Sequence, residues 1–125
     1  MAKGRPKREE ERENRITMEI VVDAYDAQER AMGWYCYLLD QLQFPFTAKC
    51  IAERAISPLQ LKDEVEVNEM AGEDECEHEI FVTIRWEKKG LAVPLSQLKP
   101  TNSTEEQTKE AVADWHYWVK MGYEF

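Results

Sequence analysis

The sequence IFVTIRWEKKGLAVPL, residues 80–95, has the pattern of a β-hairpin. Every second residue at its start is large and apolar, which is typical of a strand with one buried face. These residues are Ile80, Val82, Ile84 and Trp86. Lys88-Lys89-Gly90 predicts a tight turn, and the alternation resumes after it at Leu91, Val93 and Leu95. Pro94 favours an edge strand because it has no N–H to donate.

The chain before this hairpin also has strand character. Leu61, Val65 and Val67 are spaced as strand residues, whereas residues 47–57 are ambiguous. Several short strands with tight turns, between about residues 59 and 98, predict a small curved antiparallel sheet or barrel.

Helices are predicted on both sides of the strands. Residues 16–43 have helical spacing in two pieces, and Asp26 with Glu29 forms a capping box for the second piece. Its core face holds Ala31, Trp34, Tyr35, Leu38 and Leu42. Pro45 ends this region because the residue before a proline avoids helical backbone angles.

A further helix is predicted over residues 104–121. Ser103 with Glu106, or Thr104 with Gln107, starts it, and Gly122 stops it. Its core face is predicted to hold Ala111, Val112, Trp115, Trp118 and Val119.

Composition and charge narrow the class of protein. A chain of 125 residues with 43% hydrophobic residues fits one domain, with a formal net charge of -9. Three cysteines without a paired motif predict free thiols in a reducing, cytoplasmic compartment. No apolar run is long enough for a membrane helix. A domain this acidic is predicted to attract cations or basic partners and to repel nucleic acid.

Residues 1–15 differ from the rest because they carry six basic and four acidic residues. We predict a flexible charged tail, running into helix at its Glu/Arg-rich end, with a single domain over residues 16–125. KGRPK, residues 3–7, is similar to the core of an AT-hook, which enters the DNA minor groove. We favour a solvated tail, with at most weak contact to nucleic acid.

Acidic residues are densest between positions 63 and 79, where nine occur without a Lys or Arg. Those near Val65 and Val67 fit the wet face of a strand. The segment 73–79, EDECEHE, holds five more. Crowded carboxylates repel one another unless a cation lies among them, and calcium takes six to eight oxygen ligands. A calcium site and a merely solvated loop both remain open here.

Asp40 is a second candidate ligand. It lies in the last turn of a predicted helix, where the helix dipole disfavours a carboxylate unless a cation is bound. Ordinary exposure is the competing explanation. The EF-hand spacing of acidic residues is absent.

Catalysis is not expected from this sequence. Cys76 and His78 lack further ligands for a zinc site, and acidic neighbours make Cys76 a poor nucleophile. His116, between Trp115 and Tyr117, is interpreted as structural.

Long segments of the chain resemble one family. These segments are EIVVDAY, AMGWYCYLLDQLQFPFTAKCIAERAISPL, DEVEVNEMAGEDECEHEIFVTIRW, LAVPLSQL and ADWHYWVKMGY. Together they are similar to the CcbP family of non-EF-hand calcium-binding proteins from cyanobacteria and other bacteria.

The resemblance implies an α+β fold, with a small SH3-like antiparallel β-barrel flanked by N-terminal and C-terminal helices. It also implies buffering or sensing of intracellular free calcium, associated in cyanobacteria with heterocyst differentiation. The ligands carried over are Asp40, Glu73, Asp74, Glu75 and Glu77. An acidic SH3-like interaction module that docks a basic protein partner, without a specific metal, is the alternative.

Overall fold

Five strands form one antiparallel sheet in the computed structural model, which describes residues 9–125. The strands are β1 Phe46–Cys50, β2 Glu64–Met70, β3 Phe81–Trp86, β4 Lys89–Pro94 and β5 Leu98–Pro100. Their order across the sheet is β4-β3-β2-β1-β5. The predicted hairpin is therefore β3–β4, with β4 and its Pro94 at an edge. Its turn falls at residues 87–88, slightly earlier than predicted.

The α+β class is confirmed, but the predicted closure of the sheet into an SH3-like barrel is wrong. β4 and β5 lie at opposite edges, and no strand pairing in residues 9–125 joins them. β5 has only three residues, which pair with β1 alone. The sheet also begins before residue 59, because β1 lies between β2 and β5. Leu61, predicted as a strand residue, is 56% exposed and precedes β2.

Three α-helices flank the sheet: α1 Glu10–Arg15, α2 Ala27–Gln41 and α3 Glu106–Lys120. A π-helical turn, Ile16–Ile20, continues α1. The cap of α2 forms as predicted, since the N–H of Glu29 donates to the Asp26 carboxylate at 2.8 Å. Gly33 lets the π-helical turn approach α2, because a Cβ there would lie 2.3 Å from the Ile20 carbonyl oxygen.

The start of α3 differs from the prediction. Its N-cap is Glu105, without a side-chain cap. The Thr104 hydroxyl instead donates to the Thr47 carbonyl at 3.4 Å, which ties this turn to β1. Gly122 ends the helix as predicted, with a φ of 79° that suits glycine. Val119 is 42% exposed and so does not belong to the core.

The core lies between the sheet and the helices, with Trp34 of α2 at its centre. Trp34 is fully buried. Its ring centroid lies 5.1 Å from that of Trp115 and 5.5 Å from that of Trp118. Aromatic pairs at such separations stabilise beyond the area they bury, so this cluster fixes α3 against α2.

A buried carboxylate joins the three helices. Asp114 of α3 is 0% exposed. It accepts hydrogen bonds from Arg12 Nη1 at 2.7 Å, from Arg15 Nε at 2.8 Å and from the Tyr37 hydroxyl at 2.6 Å. Two guanidinium groups and a phenol thus compensate one buried charge. Burial and the hydrogen bond to Asp114 raise the pKa of the Tyr37 hydroxyl.

These contacts change the interpretation of the N-terminal segment. Residues 9–15 were predicted to be part of a flexible tail, but Arg12 and Arg15 fix α1 against α3. Residues 1–8, which include the KGRPK motif, lie outside the described residues. The extent of the domain over residues 16–125 stays a prediction.

We expect Asp114→Ala to lower the free energy of unfolding by about 1.5–3 kcal/mol, because it removes the charged hydrogen bonds that join Arg12, Arg15 and Tyr37 to α3. Urea denaturation with a chelator present measures this. Asp40→Ala removes an exposed carboxylate and is expected to change the free energy by less than about 0.5 kcal/mol. Equal effects of the two substitutions would contradict the role of Asp114.

His116 ties α3 to β5, since a ring nitrogen lies 2.6 Å from the Leu98 carbonyl oxygen. Burial lowers the pKa of His116, although this hydrogen bond works in the opposite direction. The unfolded chain therefore takes up a proton below about pH 6.5 that the folded chain excludes, so stability falls with falling pH.

His116→Gln should flatten this pH dependence of the free energy of unfolding, measured by urea denaturation from about pH 7.5 to about pH 5.5. The sequence has two histidines, and His78→Gln is the matched control because His78 is exposed. If His78→Gln rather than His116→Gln removed the slope, the assignment would be wrong.

Candidate metal site

The acidic turn, residues 73–79, connects β2 to β3. It begins with a 3-10 helix, Glu73–Cys76. Buried groups fix its base: the Phe81 N–H donates to Cys76 Sγ at 3.4 Å, and the Tyr35 hydroxyl donates to the Ala71 carbonyl at 3.1 Å. Cys76 is 2% exposed, whereas Glu73, Asp74 and the other predicted ligands of the turn are exposed. The backbone is anchored while its carboxylates face outward.

A cleft of about 930 Å³ lies beside the acidic turn. Its walls come from the first part of α2, the last turns of α3, residues 122–125 and the turn itself. Three predicted ligands, Glu73, Asp74 and Glu77, line it together with Glu79 and Glu124. Glu124 was missed by the sequence analysis, since nothing in its spacing relates it to a turn some 45 residues earlier.

Asp40 and Glu75 do not line this cleft. Asp40 lies five residues beyond Tyr35, the last residue of α2 in the lining. Five residues correspond to about 7.5 Å of rise and about 140° of rotation. Asp40 instead accepts a hydrogen bond from Gln41 Nε2 at 3.1 Å. The predicted ligands are therefore not all in one place. Glu73, Asp74 and Glu77 line the cleft. Glu75 belongs to the same turn but does not line the cleft, and Asp40 lies on another side of α2.

Most of the cleft carboxylates have no ion-pair partner among residues 9–125. Within residues 9–125, no Lys or Arg forms an ion pair with Glu73, Asp74 or Glu77. Glu79 differs, because it pairs with Arg54 and accepts a hydrogen bond from the Ser96 hydroxyl. Unpaired carboxylates on one wall attract a cation.

The chemistry of these groups suits a hard cation, but they are not assembled around one point. No set of three or more His, Cys, Asp or Glu side chains in the described part of the chain is close enough to hold a metal ion. Calcium accepts a variable number of carboxylate, carbonyl and water oxygens in flexible geometry. The chemistry of the donor set therefore suits calcium, although the carboxylates would have to move closer together to coordinate one ion.

The structure supports the interpretation of Cys76 and His116 as structural residues. Burial raises the pKa of the Cys76 thiol, the Phe81 N–H opposes this and Glu75 adds to it. A buried thiol of raised pKa is a poor nucleophile. A ring nitrogen of His116 is already hydrogen-bonded to the Leu98 carbonyl oxygen.

None of the helices in residues 9–125 is both long enough and apolar enough to cross a membrane.

Comparison with known proteins gave one family. The family model for CcbP, described as calcium binding, matches residues 14–119. The crystal structure of Anabaena CcbP superposes with a TM-score of 0.85 at 40% identity, covering 96% of this chain and 98% of that chain.

A structure described as a calcium binding protein in the calcium-binding form has a TM-score of 0.83 at 40% identity, covering 94% of this chain and 96% of that chain. None of the curated protein sequences matches the chain. Because the family model spans most of the sequence and the fold agrees with these relatives, the chain belongs to the CcbP family of calcium-binding proteins.

Proposed function

We propose that this chain binds calcium through the carboxylates of the acidic turn. The observation that carries the proposal is that Glu73, Asp74 and Glu77 lie exposed on one cleft without an ion-pair partner among residues 9–125. A relative that is 40% identical has been described in its calcium-binding form. Glu75, which belongs to the same exposed turn, joins this ligand set in our proposal.

Binding works by neutralising charge. Calcium supplies a compact divalent charge that relieves the repulsion among the carboxylates. The base of the turn is anchored by hydrogen bonds at Ala71 and Cys76, so we expect the carboxylates to reach a common ion by side-chain rotation with little backbone movement. Asp40 stays a separate candidate ligand in this proposal, although it does not line the cleft with the acidic turn.

At the level of the cell, we propose that the protein buffers or senses free calcium in the cytoplasm, as in heterocyst-type signalling. The alternative from the sequence was an acidic interaction module without a specific metal. Such a module requires an apolar surface near the acids. The cleft has one, and its use is argued separately below as an addition to calcium binding.

Replacing the acidic turn should remove calcium binding. We expect saturable binding of calcium to the metal-free chain by calorimetry, with millimolar magnesium present. The variant Glu73→Gln/Asp74→Asn/Glu75→Gln/Glu77→Gln should bind at least about tenfold more weakly, because each lost carboxylate removes a charged ligand. Asp40→Asn tests the separate candidate ligand.

The matched control changes four exposed acids elsewhere, Glu64, Glu66, Glu87 and Glu106, to Gln. It removes the same number of negative charges as the acidic-turn variant and should keep calcium affinity within about twofold. Equal losses of calcium affinity in both quadruple variants would mean that binding depends on the overall charge rather than on the acidic turn. Equal competition by magnesium would contradict calcium selectivity.

Calcium should also stabilise the fold by mass action. At calcium concentrations of about one hundred times the Kd, the free energy of unfolding should rise by about 2.7 kcal/mol. Thermal unfolding with and without calcium, followed by tryptophan fluorescence, measures this. The acidic-turn variant should show a clearly smaller shift in Tm at the same calcium concentration, and an undiminished shift there would place binding elsewhere.

A further inference from the structure

The cleft has a second wall that calcium does not need. Opposite the acidic turn, it is lined by apolar and aromatic side chains of α2, α3 and the segment after α3. These include Tyr35, Met32, Trp118, Val119 and Phe125. Met32 is 41% exposed and Val119 is 42% exposed. Calcium takes oxygen ligands, so this exposed apolar wall has no role in the proposed function.

We propose that this cleft docks a Lys/Arg-rich amphipathic segment of a partner protein, and that calcium and the segment exclude each other. The apolar side chains of the segment pack on Met32, Val119 and Trp118. Its basic side chains pair with Glu73, Asp74 and Glu77. The exclusion rests on the proposed calcium function, whereas the docking does not.

Charge complementarity selects this partner. Five acidic side chains line the cleft, and Glu79 is the one among them that forms an ion pair within residues 9–125. A second copy of this chain, with a formal net charge of -9, would be repelled. The apolar wall lies on neighbouring faces of α2 and α3, which is the surface used when a helix docks in a groove. Several separated carboxylates match a row of basic side chains better than a single charge does.

Fluorescence anisotropy of a labelled synthetic peptide tests the proposal. The probe is a fourteen-residue peptide of lysine and leucine with helical amphipathic spacing, added to the full chain in a chelator at physiological salt. Met32→Gln/Val119→Thr keeps the charge and approximate shape but removes the apolar contact. We expect it to weaken binding at least about tenfold.

Leu39→Gln is the matched control for the apolar wall, because Leu39 is a 53% exposed residue of α2 outside the cleft. It should leave peptide affinity within about twofold. The acidic-turn quadruple variant should weaken binding, and the quadruple control on the other acids should not. Circular dichroism and Tm verify that each variant folds.

Two results would overturn docking in the cleft. Equal weakening in both quadruple variants, with no effect of Met32→Gln/Val119→Thr, would mean that the peptide binds by overall charge alone. Clearly tighter peptide binding by a chain lacking residues 1–8, which hold four basic and no acidic residues, would assign the cleft to the chain's own basic segment.

Calcium addition separates this inference from the proposed function. We expect calcium to displace the peptide from the wild-type chain. If calcium binds by calorimetry yet leaves the peptide bound, mutual exclusion is wrong while the calcium function stands. If the peptide depends on both walls but no calcium binds, the calcium function fails and the docking is supported.

Discussion

The packing of α1 and α2 against α3 depends on one buried carboxylate, that of Asp114. A buried charge is tolerated only with partners, and here the partners come from two other helices. Arg12 and Arg15 bring α1 to α3, and Tyr37 brings α2. The cleft lies between α2, α3 and the acidic turn, so its width follows from this arrangement.

The N-terminal helix is connected to the cleft through tyrosines as well. Glu13 accepts hydrogen bonds from the hydroxyls of Tyr117 at 2.5 Å and Tyr123 at 2.7 Å. Tyr123 is also part of the cleft lining. Residues that the composition marks as a solvated tail thus support the wall of the candidate site. A segment's charge content alone does not decide whether it packs, because arginines can compensate a buried acid.

The fold class and most core residues could be predicted from sequence because they follow local rules. The alternation from Ile80 to Trp86 and the capping box at Asp26 each involve residues a few positions apart. Closure of the sheet could not be predicted, since it depends on how far a three-residue β5 reaches. The Asp114 cluster could not be predicted either, because its members are about one hundred residues apart.

The candidate site likewise has one part that could be predicted from the sequence and another that could not. The acidic turn is visible in sequence because its residues are consecutive. That Glu124 shares its cleft while Asp40 does not depends on tertiary packing. Three residues of the apolar wall, Tyr35, Trp118 and Val119, were assigned to the core by helical spacing, but helical spacing does not tell whether the neighbouring surface is covered. Val119, with 42% of its surface exposed, is the residue where this limit is clearest.

The anchoring of the acidic turn has a consequence for divergence within the family. Its structural duties are performed by Cys76, Ala71 and Tyr35, through sulfur, backbone and hydroxyl contacts. The carboxylates of Glu73, Asp74, Glu75 and Glu77 carry none of these duties, so we expect substitutions among them to carry little penalty in folding. On the proposal that they bind calcium, the affinity of this scaffold is adjustable one acidic residue at a time without a change of fold.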